Sequence, residues 1–149
     1  MSSLWIYLLL AIVAGFCLPT QAGINAHLNL WCRSAILAAT ISFAVGTLAL
    51  AIYLLILRIP IPTFDNLARS PWWIWSGGVI GAFFVASTVV LAPKLGAVSM
   101  VALIVSGQML ASICLDHFGL LGYQIHPISW MRLAGILLLV SGVVLIQRF

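Results

Sequence analysis

Polar and helix-breaking residues interrupt a chain that is otherwise apolar, and they are the residues best suited to bind a small molecule. Pro19, Gln21 and Asn25 lie close together in the first long apolar segment, and Gln108 lies near the middle of a later one. A proline inside a helix leaves a backbone carbonyl without its donor, and lipid satisfies neither that carbonyl nor an amide side chain. Such groups are tolerated where they pack on protein or line a wet cavity.

Two interpretations of these residues remain open. In the first, the amides bond from helix to helix, a modest contribution of about 0.6 kcal/mol each. Alternatively, Gln21, Asn25 and Gln108 bind a solute, with Pro19 as the hinge of a broken first helix. The coincidence of a proline with several amides favours the binding site.

Asp116 and Trp75 are further candidates by position. A carboxylate at the C-terminal end of a helix is unfavourable, because the last carbonyls point outward, so Asp116 requires a cation, a proton or water. It is either a solvated residue at the membrane surface or a group that couples transport to a proton or cation. Tryptophans that open a span, as Trp72 and Trp73 do, usually belong to the interfacial belt. Trp75 lies one helical step deeper and is a candidate substrate contact.

Other kinds of chemistry lack the residues they need. The three cysteines and three histidines have no metal-ligand spacing, so we expect neither a metal site nor a cofactor. No acid–base pair or nucleophile with its base lies at mid-depth, which argues against an enzyme. The six basic residues are scattered singly, and this excludes a nucleic-acid patch. A span without a carboxylate at mid-depth favours a neutral or anionic solute over an organic cation.

The composition requires a lipid bilayer as solvent. The 149 residues are 64% hydrophobic and only 5% charged, whereas soluble domains carry about 25% charged residues. A span needs about 20 mostly apolar residues. We therefore predict an all-α integral membrane bundle of five helices in a single domain over residues 1–149. The five segments cover about 4–23 (28 at the most), 34–57, 72–91, 96–115 and 130–146. The prolines of residues 58–71 predict a non-helical connection.

The basic residues are divided evenly between the two sides of the membrane. With five spans, Arg58, Arg69 and Arg132 lie on the N-terminal side, and three others lie on the opposite side: Arg33, Lys94 and Arg148. Orientation normally follows an excess of Lys and Arg in short loops. Without one, the chain either inserts both ways or has a topology fixed by other means. A chain that inserts both ways can form an antiparallel homodimer, which has the symmetry of an inverted-repeat transporter.

Short motifs along most of the chain resemble the five-span YdcZ-like family of the drug/metabolite transporter superfamily, which also includes the EamA and small multidrug resistance branches. They are Pro19-Thr-Gln21 with Asn25, Pro71-Trp-Trp73, Gly107-Gln108, Asp116-His-Phe-Gly119 and Arg132-Leu-Ala-Gly135. The resemblance implies a half-transporter in the bacterial inner membrane, paired with an inverted copy or an oppositely oriented homologue. It also implies export of small metabolites or drugs. The small multidrug resistance branch relies on a first-helix glutamate, where this chain offers Gln21 and no acid.

The leading hypothesis is therefore a small-solute exporter or exchanger that works by alternating access. Two rivals belong to other classes. Small dual-topology proteins can form ion channels, which a unitary conductance would reveal. A helper subunit of another membrane assembly would not transport, and it would be unstable or monomeric when expressed alone.

Overall fold

The length of the apolar segments determines the architecture of this chain. The computed structural model describes residues 2–149, which form helices and no strand. The α-helices are α1 Ser2–Cys32, α2 Ala35–Ile56, α3 Phe64–Ala68, α4 Ser76–Leu95, α5 Ala97–Phe118 and α6 Trp130–Arg148. Short 3₁₀ turns precede α4 and follow α5. All except α3 are long and apolar enough to cross a membrane, so the predicted all-α fold with five helices able to span a membrane is confirmed.

The first helix is longer than predicted, and Pro19 does not end it. The helix of 31 residues runs through the proline to Cys32, beyond the predicted limit of residues 23 to 28. Pro19 removes only one backbone donor, and the next residue adds a bond, since the Thr20 hydroxyl donates to the Phe16 carbonyl at 2.9 Å. In lipid, a continuous helix is the simplest way to satisfy the remaining backbone groups. The prediction of a broken helix is wrong, while a hinge at Pro19 stays a prediction.

The same physics moves the boundary between α4 and α5. Residues 92–95 were predicted to be a connection, yet α4 continues through Pro93 to Leu95. The break falls at Gly96 alone, where φ is +76°, a conformation that favours glycine. At its other end α5 extends past Leu115 to Phe118, so Asp116 lies inside the last turn of the helix. Gly119 ends the helix in the left-handed conformation.

The connection over residues 58–71 is not wholly irregular. It contains α3, whose N-cap position is Thr63 and whose first turn carries Asp65. A carboxylate in a first turn stabilises the positive end of a helix. The helix ends before the Ser70–Pro71 bond, because a proline disfavours the helical conformation of the residue that precedes it. The predicted absence of helix is therefore wrong for these five residues.

Packing divides the chain into two units, Met1–Lys94 and Leu95–Phe149. In the first unit α1 packs against α2, and small side chains such as Ala22, Ala38 and Ala39 are buried. Small residues let membrane helices approach closely, which is the main source of their association. In the second unit α5 and α6 form an antiparallel hairpin. A single domain over residues 1–149 stays a prediction.

Hydroxyl caps fix where two of the spans begin. The Ser34 hydroxyl accepts a hydrogen bond from the Leu37 backbone N–H at the start of α2. The Ser129 hydroxyl does the same for the Arg132 N–H at the start of α6. Each cap contributes about 1 kcal/mol. Both helices therefore begin within one residue of the predicted positions.

Candidate functional site

The buried amide of Asn25 is the least ordinary polar group in the first unit. Its side chain is 3% exposed, and its Nδ2 has no hydrogen-bond partner among the residues that the structure describes. A buried donor without an acceptor costs about 1–3 kcal/mol. Buried polar groups in native proteins are nearly always paired, so this donor is an exception among the described residues.

Asn25 belongs to a line of amides along α1. Gln21, Asn25 and Asn29 follow one another at intervals of four residues, so they share one face of the helix. We call these three residues the amide stripe. Gln21 is exposed, Asn25 is buried and Asn29 is half-buried. Asn29 was missed in the sequence, although the spacing of four from Asn25 was a sufficient signal.

Pro19 lies half-buried two residues before the stripe begins. Its missing N–H leaves the carbonyl four residues earlier, that of Gly15, without its usual helical donor. Trp75, by contrast, ends the 3₁₀ turn that precedes α4 and is 60% exposed. Its contact with a substrate stays a prediction.

Polar residues also recur at intervals of four along α5. Gln108 lies exposed near the middle of the helix, followed on the same face by Ser112 and then Asp116. The face therefore becomes more polar towards the end of the span. Of these three residues, Gln108 lies deepest in the span. Its polar side chain is therefore the most costly of the three to expose to lipid relative to an interfacial position. Its side chain has no hydrogen bond within the described part of the chain.

The end of the α5–α6 hairpin holds an ion pair. Arg132 Nη1 lies 3.4 Å from Asp116 Oδ2, and the two side chains are 37% and 32% exposed. The same Nη1 donates to the His126 carbonyl at 3.1 Å. The His126 N–H in turn donates to the Asp116 carbonyl at 2.9 Å. The cation that a carboxylate at a helix C-terminus requires is thus Arg132, a partner that no sequence pattern indicated.

The hairpin geometry also lowers the electrostatic cost of a carboxylate at the end of α5. Antiparallel packing sets the C-terminal end of α5 beside the N-terminal end of α6, so the positive end of one helix dipole offsets the negative end of the other. Arg132 lies in the first turn of α6, where its guanidinium pairs with the Asp116 carboxylate. These contacts describe a residue that holds the hairpin together. A role for Asp116 in proton or cation coupling stays a prediction.

The loop between α5 and α6 is fastened by several further contacts. The Ile128 N–H donates to His117 Nδ1 at 3.2 Å. Gly119 has φ +60°, and a Cβ there would lie 2.6 Å from the Ile125 side chain. No other residue type fits at this position without movement of Ile125.

A cavity between α2 and α4 in the first unit is apolar. Its volume is about 230 Å³. It is lined by Ile36, Ala39, Thr40, Phe43, Ala82 and Ala86. The Thr40 hydroxyl already donates to the Ile36 carbonyl. Without a free polar group to fix the orientation of a ligand, this cavity is a poor candidate for specific binding.

The structure thus gathers the predicted site residues in two groups. Gln21 and Asn25 lie on one face of α1, and Gln108 and Asp116 lie on one face of α5. The two groups belong to different units. A single site that combines Gln21, Asn25 and Gln108 stays a prediction.

Comparison with known proteins identifies the family of this chain. Residues 6–145 match the family described as "Putative inner membrane exporter, YdcZ". The inner membrane protein YdcZ of Escherichia coli strain K12 is 26% identical over 138 residues, which cover 92% of this chain and 91% of the relative. No solved structure matches. With five helices able to span a membrane, this is a multi-pass protein of the inner membrane, and the chain belongs to the YdcZ family of exporters within the drug/metabolite transporter superfamily.

Proposed function

We propose that this protein exports or exchanges a small neutral or anionic solute by alternating access, as an antiparallel pair of copies. The observation that carries the proposal is the Asn25 amide, which is buried and has an unpaired N–H donor among the described residues. Membership of an exporter family supports the same conclusion. The solute would supply the hydrogen-bond acceptor that the described part of the chain lacks.

The chemistry of the amide stripe limits the solute. An N–H donor binds an oxygen acceptor such as a carbonyl, hydroxyl or carboxylate. No Asp or Glu lies at mid-depth in any span, so an organic cation would meet no counter-charge there. Gln21 and Asn29 extend the hydrogen-bonding surface along α1 on either side of Asn25. Trp75 is a further candidate contact.

A second copy of the chain would account for Gln108. An exposed amide at the middle of a span is costly in lipid unless a protein surface or a wet cavity covers it. The even division of basic residues between the two sides favours insertion in both orientations. Two inverted copies that exchange conformations would alternate between states of equal energy, as inverted repeats do within one chain.

Binding and transport can be tested with a defined panel of solutes. Purified protein is screened by thermal shift against amino acids, organic acids and sugars, and a stabilising solute is then followed by counterflow in proteoliposomes. Asn25→Leu should abolish counterflow while it still inserts. Gln147→Leu is the matched control, because it removes an exposed amide near the end of α6 and should leave counterflow intact. Counterflow of equal rate in Asn25→Leu would refute the binding role.

The pairing of inverted copies needs a separate experiment. Tags at the N-terminus and C-terminus are tested for accessibility in intact cells. Each tag should be labelled in part in intact cells, to a comparable extent, and in full once the membrane is permeabilised. A single fixed orientation in the unmodified protein would overturn the antiparallel homodimer. In the same proteoliposomes, unitary conductance steps would indicate a channel instead of a carrier.

A further inference from the structure

The groove between α5 and α6 has one charged end and one apolar end. Its cavity measures about 200 Å³ and is lined by Met109, Ser112, Ile113, Asp116, Arg132 and Ile136. Asp116 is the third residue from the end of α5, and Arg132 is the third residue of α6. The charged end therefore lies at the edge of both spans, and the groove becomes apolar with increasing depth. This polarity matches an amphiphile that lies with its head at the membrane surface and a chain along the groove.

The ion pair has hydrogen-bonding capacity to spare. Arg132 uses a single nitrogen, Nη1, for both Asp116 and the His126 carbonyl. In the described part of the chain, Nη2 and Nε of Arg132 make no hydrogen bond, and Oδ1 of Asp116 accepts none. Both side chains remain about one-third exposed. The pair can therefore receive one anionic acceptor at Arg132 and one cationic donor at Asp116.

Charge balance selects the headgroup. The guanidinium favours a phosphate, which can bind across two N–H groups. A phosphate alone would lie beside the Asp116 carboxylate, so an additional positive group is favoured. A primary ammonium provides that charge together with N–H donors, while a choline has the charge and no donor, and a glycerol has no charge. Phosphate and primary ammonium together are the headgroup of phosphatidylethanolamine.

We propose that the α5–α6 groove binds a phospholipid with a phosphoethanolamine headgroup. Arg132 binds the phosphate, Asp116 binds the ammonium, and one acyl chain lies against Met109, Ile113 and Ile136. Trp130 is the first residue of α6 and is 86% exposed. Tryptophan is typical of the depth at which the lipid headgroups lie.

Binding is measured on delipidated full-length protein in detergent, by native mass spectrometry with dioleoyl lipids. Phosphatidylethanolamine should bind on the order of tenfold more tightly than phosphatidylcholine or phosphatidylglycerol, which is the effect of one charge-assisted hydrogen bond. Asp116→Asn should bring phosphatidylethanolamine and phosphatidylcholine to equal affinity. Arg132→Gln should weaken the binding of all three. Arg69→Gln, an exposed arginine of the other long connection, is the matched control and should change nothing.

Ser112→Phe keeps the proposal testable if the ion-pair variants do not fold. It fills the groove from an exposed position on α5 without removing either charge, and it should reduce the binding of phosphatidylethanolamine at least tenfold. Equal affinity for the three lipids in the unmodified protein would overturn the proposal. It would also be overturned if Ser112→Phe bound phosphatidylethanolamine normally, or if water-soluble glycerophosphoethanolamine bound as tightly as the lipid.

Discussion

The amide stripe of α1 and the charged end of the α5–α6 hairpin use polarity in opposite ways. The stripe consists of uncharged amides within a span, and its central member, Asn25, is buried with an unpaired donor. The hairpin end consists of charged groups at the edge of two spans, and Asp116 and Arg132 bind each other and the connecting loop. The charged end therefore holds the hairpin together through contacts within its own chain, whereas the unpaired donor of Asn25 requires a partner that the described residues do not supply.

Depth explains why the two regions differ. An ionised side chain within the hydrocarbon is far more costly than an amide, so charges remain where water or a headgroup is close. An amide can enter the span, but its cost must then be recovered through a hydrogen bond. The comparison therefore predicts that substitutions in the stripe affect transport more than stability. Substitutions at the hairpin end should affect stability and order more than transport.

After Asn25→Leu, the largest effect is expected for the other amides within the spans. Gln21→Leu and Gln108→Leu should each insert normally and should reduce transport roughly tenfold or more, since each would leave a polar solute without one hydrogen bond. Initial rates of counterflow in proteoliposomes give the measurement, and Gln147→Leu again serves as the control. Unchanged rates would assign Gln21 and Gln108 to helix packing instead of binding.

Gly119 offers the next largest effect, at the hairpin end. Gly119→Ala should destabilise the protein by about 2 kcal/mol, because φ +60° is unfavourable for alanine and its Cβ would collide with Ile125. Gly107→Ala is the matched control, since a Cβ there meets nothing within 4 Å of the single chain. Thermal unfolding in detergent compares the two variants. Similar stability of both would contradict the tight fastening of the loop.

The smallest effect is expected for the ion pair itself. Asp116→Asn should lower stability by only about 0.2–1 kcal/mol, because both partners are partly exposed. The loss of the Arg132 contact should nevertheless increase hydrogen exchange across residues 119–129, where Arg132 also binds the His126 carbonyl. Exchange in the amide stripe should not change. An equal increase in both regions would mean that the pair stabilises the whole chain, and the contrast between the two regions would be lost.

The sequence predicted the spans well, because apolar length alone defines them. It failed at Pro19 and Pro93, where propensity favoured a break and the requirement to satisfy the backbone in lipid kept the helix intact. Rules drawn from helices in water overestimate the effect of a proline in a span.

The candidate site was less predictable, for a different reason. The spans are apolar on every side, so their pattern does not indicate which face packs against protein. Gln21 and Asn25 looked equivalent in the sequence, yet one is exposed and the other is buried. The pairing of Asp116 with Arg132 depends on how two helices pack, since the residues are separated by a loop and lie in different spans. Only tertiary structure provides that information.

The unpaired donor of Asn25 is tested most directly by the stability of Asn25→Leu without solute. Leucine has a similar size and no polar group, so replacement of an unsatisfied amide should leave the thermal midpoint unchanged or raise it. The same variant should lose the thermal shift that a stabilising solute produces in the unmodified protein. A midpoint several degrees lower, with the solute shift retained, would mean that Asn25 is paired within the protein, and it would contradict the account.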